Sequence, residues 1–309
     1  MRYANNLAFP FFYLKKERKT KAKEERKMVS WMETRNWLLH GNETGVKIAC
    51  HRGKFSSSII ENTSRAFLLA IAEGADMVEM DLALTKDGVL IGHHDKTMQR
   101  FLHVDRPVSD FTWDEIRRMP LYNYFDEINV VGLETFDEIL HALKGKTILV
   151  LDRCWDYLDA VYDALQRAEM VDQAVIKFQI TNEDACVWAA AHPDCVYIPM
   201  VRDVDMLPVV EQLRSKTQVA GIEILPKTPD DAIFSAETAT WLKARGMRIW
   251  CNSLSYAKRL TFGAGFDDLR AMELGGDAGW GELISRGVDI IQTDWPMEVA
   301  AYLKQAEMR

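Results

Sequence analysis

The chain has 309 residues, which is long enough for one large α/β domain or two small ones. Its composition, 48% hydrophobic and 27% charged residues, is that of an ordinary globular protein, and its net charge of −8 argues against a nucleic-acid-binding protein. The five cysteines have neither the paired spacing of a zinc site nor an even number, so we expect free thiols in a reducing compartment, with the cytoplasm as the default location.

Residues 1–45 differ from the rest of the chain and are predicted to form an N-terminal arm that is partly helical or disordered. An apolar patch, Leu7–Leu14, precedes the basic run Lys15–Lys27, which is the reverse of the order in a secretory signal. The second half of the arm is compatible with an amphipathic helix, and the basic run with contact to anionic lipid. A solvated, frayed arm, or a true start near Met28, is the favoured alternative. No apolar run approaches the roughly 20 residues that an integral membrane helix needs.

From Val46 onward, short apolar runs alternate with amphipathic stretches. The apolar runs predict strands at Val46–Cys50, Met77–Leu82, Thr147–Leu151, Ala174–Phe178, Cys195–Met200, Val219–Leu225, Met247–Cys251 and Val288–Gln292. The amphipathic stretches predict helices at Ser64–Glu73, Phe136–Leu143, Tyr157–Ala168, Asn182–Ala191, Val204–Leu213, Ala236–Arg245, Phe266–Leu274 and Met297–Gln305. This alternation is typical of an α/β protein with a (β/α)₈ TIM barrel, which we predict for residues 46–309. A doubly wound sheet is the alternative, since it does not require the strands to close at eight.

An insertion of about residues 88–129 interrupts the alternation after the second strand. Gly88–Gly92 predicts a short extra hairpin, and residues 111–124 predict a partly helical segment over the mouth of the barrel. Ser109 and Asp110 are candidates to cap that helix, because short polar side chains accept hydrogen bonds from the first turn.

Two carboxylates and two histidines lie close together in the first third of the chain. Glu79 and Asp81 are two residues apart on a predicted strand, so their side chains point to the same face. Two adjacent carboxylates repel each other unless a cation lies between them, and a hard divalent cation prefers oxygen ligands. His51 and His94 flank this pair and can transfer protons near neutral pH. The arrangement indicates metal-assisted phosphoester chemistry.

The sequence resembles the glycerophosphodiester phosphodiesterase family through a series of motifs in the same order. These are His51-Arg52-Gly53, Glu61-Asn62-Thr63, Gly74-Ala75-Asp76, Glu79-x-Asp81, Thr85-x-Asp87-Gly88, His94-Asp95-x-Thr97, Leu133–Glu138, Trp250–Asn252 and Ile291–Pro296. The resemblance implies a TIM barrel that hydrolyses a small glycerophosphodiester to glycerol 3-phosphate and an alcohol. It also implies His51 and His94 as the acid/base pair, and Glu79, Asp81 and Asp152 as ligands of one divalent cation, Mg²⁺ or Ca²⁺.

The chain departs from this family at Asp152-Arg153-Cys154, where a Glu-x-Lys pair is usual. Asp152 is shorter than glutamate, and a helix cap is its alternative role. A thiol at Cys154 does not replace a phosphate-binding cation, so Lys177, at the end of the next strand, is predicted to substitute; a lysine reaching out from the barrel rim is the alternative. Arg52 is expected to bind phosphate oxygens, which suit a guanidinium group.

Two further strand-end residues are candidates for substrate contact. Glu223 is predicted to bind the glycerol hydroxyls or to orient Lys177, and a satisfied structural carboxylate is the alternative. Trp250 offers a flat face for the glycerol carbons or a lid, against a role in the core. Two other functions stay open: a phospholipase D-like enzyme acting on lysophospholipids, and a non-catalytic phosphate-binding relative, as the missing lysine suggests. A homo-oligomer also stays open.

Overall fold

Parallel strands close into a ring in this protein, whose computed structural model describes residues 31–40, 45–255 and 262–308. Within these residues the strands are β1 (Lys47–Cys50), β2 (Met77–Leu84), β3 (Leu90–Gly92), β4 (Ile148–Asp152), β5 (Ala174–Ile176), β6 (Val196–Tyr197), β7 (Met200–Val201), β8 (Gln218–Val219), β9 (Gly221–Ile224), β10 (Arg248–Asn252) and β11 (Ile290–Thr293). The short pairs β6/β7 and β8/β9 each continue one barrel strand, and β3 lies outside the ring.

The pairing of the first and last strands shows that the barrel is closed. Neighbouring barrel strands are parallel in the order β1, β2, β4, β5, β6/β7, β8/β9, β10 and β11, and β11 returns to β1 from Lys47↔Ile290 to Cys50↔Thr293. The predicted (β/α)₈ barrel is therefore confirmed. The doubly wound sheet is wrong, because an open sheet leaves its edge strands unpaired.

Helices connect the barrel strands and cover the outside of the ring. Within the described residues they are α1 (Trp31–His40), α2 (Ser64–Ala72), α3 (Gln99–Leu102), α4 (Trp113–Ile116), α5 (Phe136–Leu143), α6 (Leu158–Ala168), α7 (Glu183–Ala191), α8 (Leu207–Arg214), α9 (Ala236–Lys243), α10 (Asp268–Leu274), α11 (Trp280–Ser285) and α12 (Pro296–Gln305). The largest apolar cluster lies between these helices and the strands and includes Phe67, Phe136 and Phe178. Each of the eight predicted helices is present, and α11 is an addition. None of the helices in this part of the chain combines the length and apolar composition needed to cross a bilayer.

The insertion after β2 has its own small core. Strand β3 pairs antiparallel with the end of β2, from Leu82↔Gly92 to Leu84↔Leu90, as the predicted hairpin requires. Helix α4 begins with a capping box, in which Thr112 and Glu115 each accept a hydrogen bond from the other's backbone N–H. The predicted cap at Ser109 and Asp110 is wrong, because these residues belong to the preceding 3₁₀ turn, Val108–Asp110.

Helix α1 packs against the end of the barrel where the strands begin. Trp37 and Leu38 are buried in one cluster with residues that point into the barrel, such as Met77. The guanidinium of Arg248, the first residue of β10, lies 3.9 Å from the centre of the Trp37 ring and donates a 2.6 Å hydrogen bond to the Trp37 carbonyl. The favoured frayed arm is therefore wrong for residues 31–40. The apolar patch and the basic run lie outside the described residues, and the domain boundary at residue 45 stays a prediction.

Replacing Trp37 with alanine should destabilise the barrel by about 3–5 kcal/mol, since it leaves a large cavity between α1 and the barrel. The free energy of unfolding from denaturant titration measures this. Met32→Ala on the same helix is the control, because the Met32 side chain is 61% exposed. Equal effects of the two substitutions would contradict the packing of α1 against the barrel.

Candidate active site

The carboxyl ends of the barrel strands open into one cleft of about 480 Å³. Its wall contains the predicted site residues His51, Arg52, Glu79, Asp81, His94, Asp152, Lys177 and Glu223. Trp250 is absent from this wall within the described residues. Asn252, which belongs to the Trp250–Asn252 motif at the end of the seventh predicted strand, also lies in the wall. The wall contains further residues that sequence reasoning did not place there: Asp95, Arg100, Arg153, Trp155, Gln179, Met200, Arg202, Leu225, Leu254, Phe262 and Gln292. Polar residues at the ends of separate strands thus meet at the face where TIM barrels place their active sites.

The turn after β1 points Arg52 into the cleft. Arg52 and Gly53 both have positive φ, 54° and 74°, and a Cβ on Gly53 would lie 2.6 Å from the backbone carbon of Ala66 in α2. A side chain at position 53 is therefore excluded by both conformation and space. The Arg52 backbone N–H donates a 3.0 Å hydrogen bond to Oε2 of Glu79, which connects this turn to the carboxylate pair.

His51 is held by a carboxylate from the opposite end of the chain. Its Nδ1 lies 2.9 Å from Oδ1 of Asp294, which follows β11. Burial alone lowers the pKa of His51, but the hydrogen bond and charge of Asp294, together with the charge of Glu79, raise it overall. The Lys54 ammonium donates to the Asp294 carbonyl at 3.0 Å and fixes this segment. The geometry therefore favours the protonated form of His51.

His94 has the same kind of partner but the opposite pKa shift. Its Nδ1 lies 2.8 Å from Oδ1 of Asp95. Burial lowers the pKa of His94, and the nearby Arg52 adds to this, while the charge of Asp81 opposes it. The structure also separates the two adjacent histidines, because His94 lines the cleft and His93 does not. The neutral form of His94 is therefore favoured near neutral pH.

Glu79 and Asp81 form a buried carboxylate pair that suits a hard cation. Burial and the charge of Asp81 raise the pKa of Glu79. Asp81 is held by protein cations: its carboxylate lies 3.0 Å from Nε of Arg52 and 3.4 Å from Nε of Arg153. The two carboxylates offer only oxygen donors, which Mg²⁺ and Ca²⁺ prefer and Zn²⁺ does not.

The third predicted ligand does not join this pair. Asp152 is in register with Asp81, but its Oδ2 lies 3.3 Å from the Lys177 ammonium and its Oδ1 accepts the Arg153 N–H at 2.7 Å. Within the described residues, no three His, Cys, Asp or Glu side chains are grouped to hold an ion. The expected cluster of three carboxylates is thus not formed here: Asp81 pairs with two arginines and Asp152 with Lys177, while Glu79 accepts the Arg52 backbone N–H.

Lys177 has a different environment from the predicted one. Its side chain is only 1% exposed, and its ammonium lies 2.5 Å from Glu223, 3.3 Å from Asp152 and 3.4 Å from Oε1 of Gln292. These carboxylates keep its charge stable despite burial, and its pKa is raised overall. Lys177 therefore organises the floor of the cleft, and its predicted role in place of a phosphate-binding lysine stays a prediction.

Trp250 and Glu223 lie at different depths of the barrel. Trp250 is fully buried in the interior cluster, with the Lys177 ammonium 5.0 Å from its ring centre. Its predicted contact with glycerol, or use as a lid, is therefore wrong, and the core alternative describes its position. Glu223 reaches the cleft and accepts a 2.7 Å hydrogen bond from Asn252 in addition to its pairing with Lys177. Contact of Glu223 with substrate stays a prediction.

A hydrogen-bonded network beside the cleft connects Arg52 to Asp95, the partner of His94, through Glu61 and Arg100. Glu61 accepts hydrogen bonds from Arg52 at 3.0 Å, from Arg100 at 2.8 Å and from the Tyr124 hydroxyl at 3.0 Å. Against the effect of burial, these donors lower the pKa of Glu61 to about 2. Arg100 also donates to Asp95 at 2.7 Å, so one guanidinium braces the partner of His94. Arg100 and Tyr124 belong to the insertion, and no sequence motif pointed to them.

Comparisons with known proteins agree with this arrangement. The sequence model described as the glycerophosphoryl diester phosphodiesterase family matches residues 51–238, and one described as a domain of unknown function matches 197–303. A glycerophosphodiester phosphodiesterase of Bacillus altitudinis is 30% identical over 147 residues, 47% of this chain and 58% of that protein. A lysophospholipase D of Mus musculus is 36% identical over 77 residues, 25% of this chain and 22% of that protein. The chain spans only about half the length of the first sequence relatives that it matches.

Solved structures extend the likeness over most of the chain. A glycerophosphoryl diester phosphodiesterase from Parabacteroides distasonis has a TM-score of 0.73 and 22% identity, covering 89% of this chain and 92% of its own. A phosphodiesterase from Oleispira antarctica, solved in complex with the product sn-glycerol-3-phosphate, has a TM-score of 0.64 and 18% identity. The match covers 84% of this chain and 97% of that structure's chain. At these identities the structures show the fold. With its family match over more than half of the sequence, the chain belongs to the glycerophosphoryl diester phosphodiesterase family.

Proposed function

We propose that this protein hydrolyses glycerophosphodiesters to glycerol 3-phosphate and an alcohol. The observation that carries the proposal is a pair of histidines in one cleft, each with its own aspartate and with pKa shifts of opposite sign. Opposite shifts are what separate an acid from a base at one pH. The names of the sequence relatives, and the product bound in the Oleispira antarctica structure, support the same substrate class.

The opposite pKa shifts support one assignment of the acid and base roles. His94, whose neutral form is favoured, takes the proton of the attacking hydroxyl at Nε2, because its Nδ1 faces Asp95. His51, whose protonated form is favoured, donates a proton to the oxygen of the departing alcohol. Asp294 and Asp95 hold the rings in orientation throughout. The attacker is water, which gives glycerol 3-phosphate directly, or the neighbouring hydroxyl of the substrate's glycerol. In the second case the alcohol leaves a cyclic phosphodiester, which water then opens to glycerol 3-phosphate.

Charge on the phosphoryl oxygens requires positive partners. Arg52 lies beside Asp81 and lines the cleft, where its guanidinium suits the non-bridging oxygens. Glu79 and Asp81 would hold a divalent cation, Mg²⁺ or Ca²⁺, with Asp152 as the third proposed ligand. Such a cation, when bound, neutralises charge that develops on the phosphoryl group.

The test is hydrolysis of a panel of glycerophosphodiesters that differ in alcohol, with a phosphomonoester as the negative substrate. We expect release of glycerol 3-phosphate from at least one diester and none from the monoester. Binding of glycerol 3-phosphate without turnover of any diester would instead support the non-catalytic alternative.

Asp294→Asn should shift the basic limb of the pH profile of kcat/KM to lower pH. His51 must be protonated to act as the acid, so activity falls as the pH rises through its pKa. The carboxylate of Asp294 raises that pKa, and an amide lacks the charge. The acidic limb, set by deprotonation of His94, should stay in place. A shift of both limbs together would contradict the separate roles of the two histidines.

A lysophospholipid is the second candidate substrate, because an aromatic pocket lies behind the His51–Asp294 pair. This pocket has a volume of about 450 Å³ and is lined by Lys54, Phe55, Ser56, Tyr124, Ser255, Leu269, Asp294 and Trp295. The rings of Phe55 and Tyr124 stack with centroids 5.5 Å apart, and Trp295 is 38% exposed. An acyl chain would bury these apolar surfaces.

Comparison of dispersed lysophospholipid with glycerophosphocholine separates the two candidates. If the lysophospholipid is the substrate, Trp295→Ala should reduce its hydrolysis and leave that of glycerophosphocholine unchanged. An equal loss on both substrates would show that the aromatic pocket does not select the acyl chain.

A further inference from the structure

The cations of the cleft differ in how many acceptors surround them. Lys177 has three acceptors, and Arg100 binds both Glu61 and Asp95. Arg52 is held between Asp81 and Glu61. Arg153 stands apart, since its one ion pair within the described residues is a 3.4 Å contact from Nε to Asp81, and its side chain is 42% exposed. Arg153 therefore retains more hydrogen-bonding capacity than the other three.

The backbone after β4 turns Arg153 into the cleft. Arg153 has φ of 54°, a left-handed conformation that reverses the direction of the chain at the strand end. Two hydrogen bonds fix this conformation: the Arg153 N–H donates to Asp152 at 2.7 Å, and the Tyr157 hydroxyl donates to the Arg153 carbonyl at 2.7 Å. The next residue, Cys154, is fully buried in the apolar layer outside the barrel. Of these two neighbours, only Arg153 reaches the cleft.

The Nε contact also orients the rest of the guanidinium group. Nε of Arg153 lies 3.4 Å from Asp81, and the Arg153 guanidinium donates no hydrogen bond to a residue of the described ranges. A guanidinium group anchored through Nε presents its remaining N–H donors as a planar fork, which matches two oxygens of a phosphate. The anchor lies at the carboxylate pair, where the proposed reaction takes place.

We propose that Arg153 is a substrate-binding residue that holds the phosphodiester through its Nη nitrogens. Arg153 supplies a cation at the strand end where Cys154 offers only a buried thiol. The inference rests on the proposed function for the identity of the substrate. The anion-binding role itself depends only on the position of Arg153.

The experiment is calorimetric titration of sn-glycerol 3-phosphate into the full chain, in chelator, so that divalent cations do not contribute. Arg153→Ala should weaken binding about 10- to 100-fold, the loss of a charge-assisted bidentate contact. Arg153→Lys keeps the positive charge but lacks the planar pair of N–H donors, so its affinity for glycerol 3-phosphate should lie between those of the unaltered protein and Arg153→Ala. In steady-state hydrolysis, Arg153→Ala should raise KM with little change in kcat, because the contact exists before and during the reaction.

Arg202→Ala is the matched control. Arg202 is an exposed arginine in the wall of the same cleft, and it has no ion pair with Asp81 in the described structure. We expect its removal to weaken binding less than about 3-fold, the effect of a solvent-screened charge that has no positioned contact beside the carboxylate pair. Equal weakening by both variants would overturn the proposal, since cleft charge rather than a positioned contact would then explain it. Unchanged binding by Arg153→Ala would overturn it as well. If no diester is hydrolysed but binding depends on Arg153, the proposed function fails and this inference stands.

Discussion

Replacing either His51 or His94 with alanine should lower kcat for glycerophosphodiester hydrolysis by about 10²- to 10⁴-fold, the usual contribution of one general acid or base. Each ring lies in the cleft wall with its Nδ1 held by an aspartate. The loss should fall on kcat rather than KM, because proton transfer occurs in the transition state. The double variant should be little slower than the slower single variant, since the two rings serve one step.

The chain offers a matched control for these histidine variants. His103 also pairs with a carboxylate, with Nε2 2.8 Å from Oδ1 of Asp126, but it belongs to the insertion and is absent from the cleft wall. His103→Ala should leave kcat within about a factor of two, as expected for an exposed pair. Retention of more than a tenth of the activity by His51→Ala would remove that ring from the mechanism.

Removal of divalent cations should reduce the activity by about 10²- to 10⁴-fold, because a bound cation contributes several kcal/mol of charge stabilisation to phosphoryl transfer. Added Mg²⁺ or Ca²⁺ should restore it, and whichever ion restores more activity is the better candidate. The same ion should raise the Tm of the chelator-treated protein, since a ligand that binds only the folded state stabilises it. The Tm gives a readout that is independent of turnover.

Asp81→Asn is the variant that connects this effect to the carboxylate pair. It should abolish both the rise in Tm and the recovery of activity on addition of the ion. Asp126→Asn, which alters an aspartate 76% exposed in the insertion, is the control and should preserve both. Full activity in excess chelator, with no metal found by elemental analysis, would contradict the metal site. The protein's own cations beside Asp81, Arg52 and Arg153, would then carry the charge.

The barrel could be predicted because its strands follow a simple rule. Parallel strands buried on both faces are continuous apolar runs, and the first polar residue after each run marks its carboxyl end. His51 and Asp152 were placed in this way, and the cleft wall contains both. The two-residue period also placed Glu79 and Asp81 on one face. The position of a residue at the rim of the barrel can therefore be predicted from the sequence.

The depth at which a side chain lies inside the barrel could not be predicted from the sequence in the same way. Trp250 and Asn252 share a face of β10, yet only Asn252 reaches the cleft, since Trp250 lies one layer lower, with the Lys177 ammonium 5.0 Å from its ring. Lys177 itself was correctly placed at a strand end, but its acceptors come from three other strands. No local pattern reports such partners. The same holds for Arg100, whose role depends on how the insertion folds back onto Glu61.

The cap of α4 shows a different kind of error. Ser109, Asp110 and Thr112 all have side chains that cap helices, so residue type does not choose among them. The spacing of Thr112 and Glu115 is that of a capping box, and this signal was present in the chain. No motif in the sequence predicted where helix α1 packs. The surface that it covers is built from residues of several barrel strands, which come together only in the folded protein.

Helix α1 has a consequence for how molecules enter and leave. With Trp37 and Leu38 covering the strand beginnings, and an interior filled by side chains such as Trp250, the described residues leave no passage through the barrel axis. We therefore expect substrate and products to use the same cleft mouth. For the proposed reaction, bound glycerol 3-phosphate would occupy the cleft that the next substrate needs, so its inhibition should be competitive.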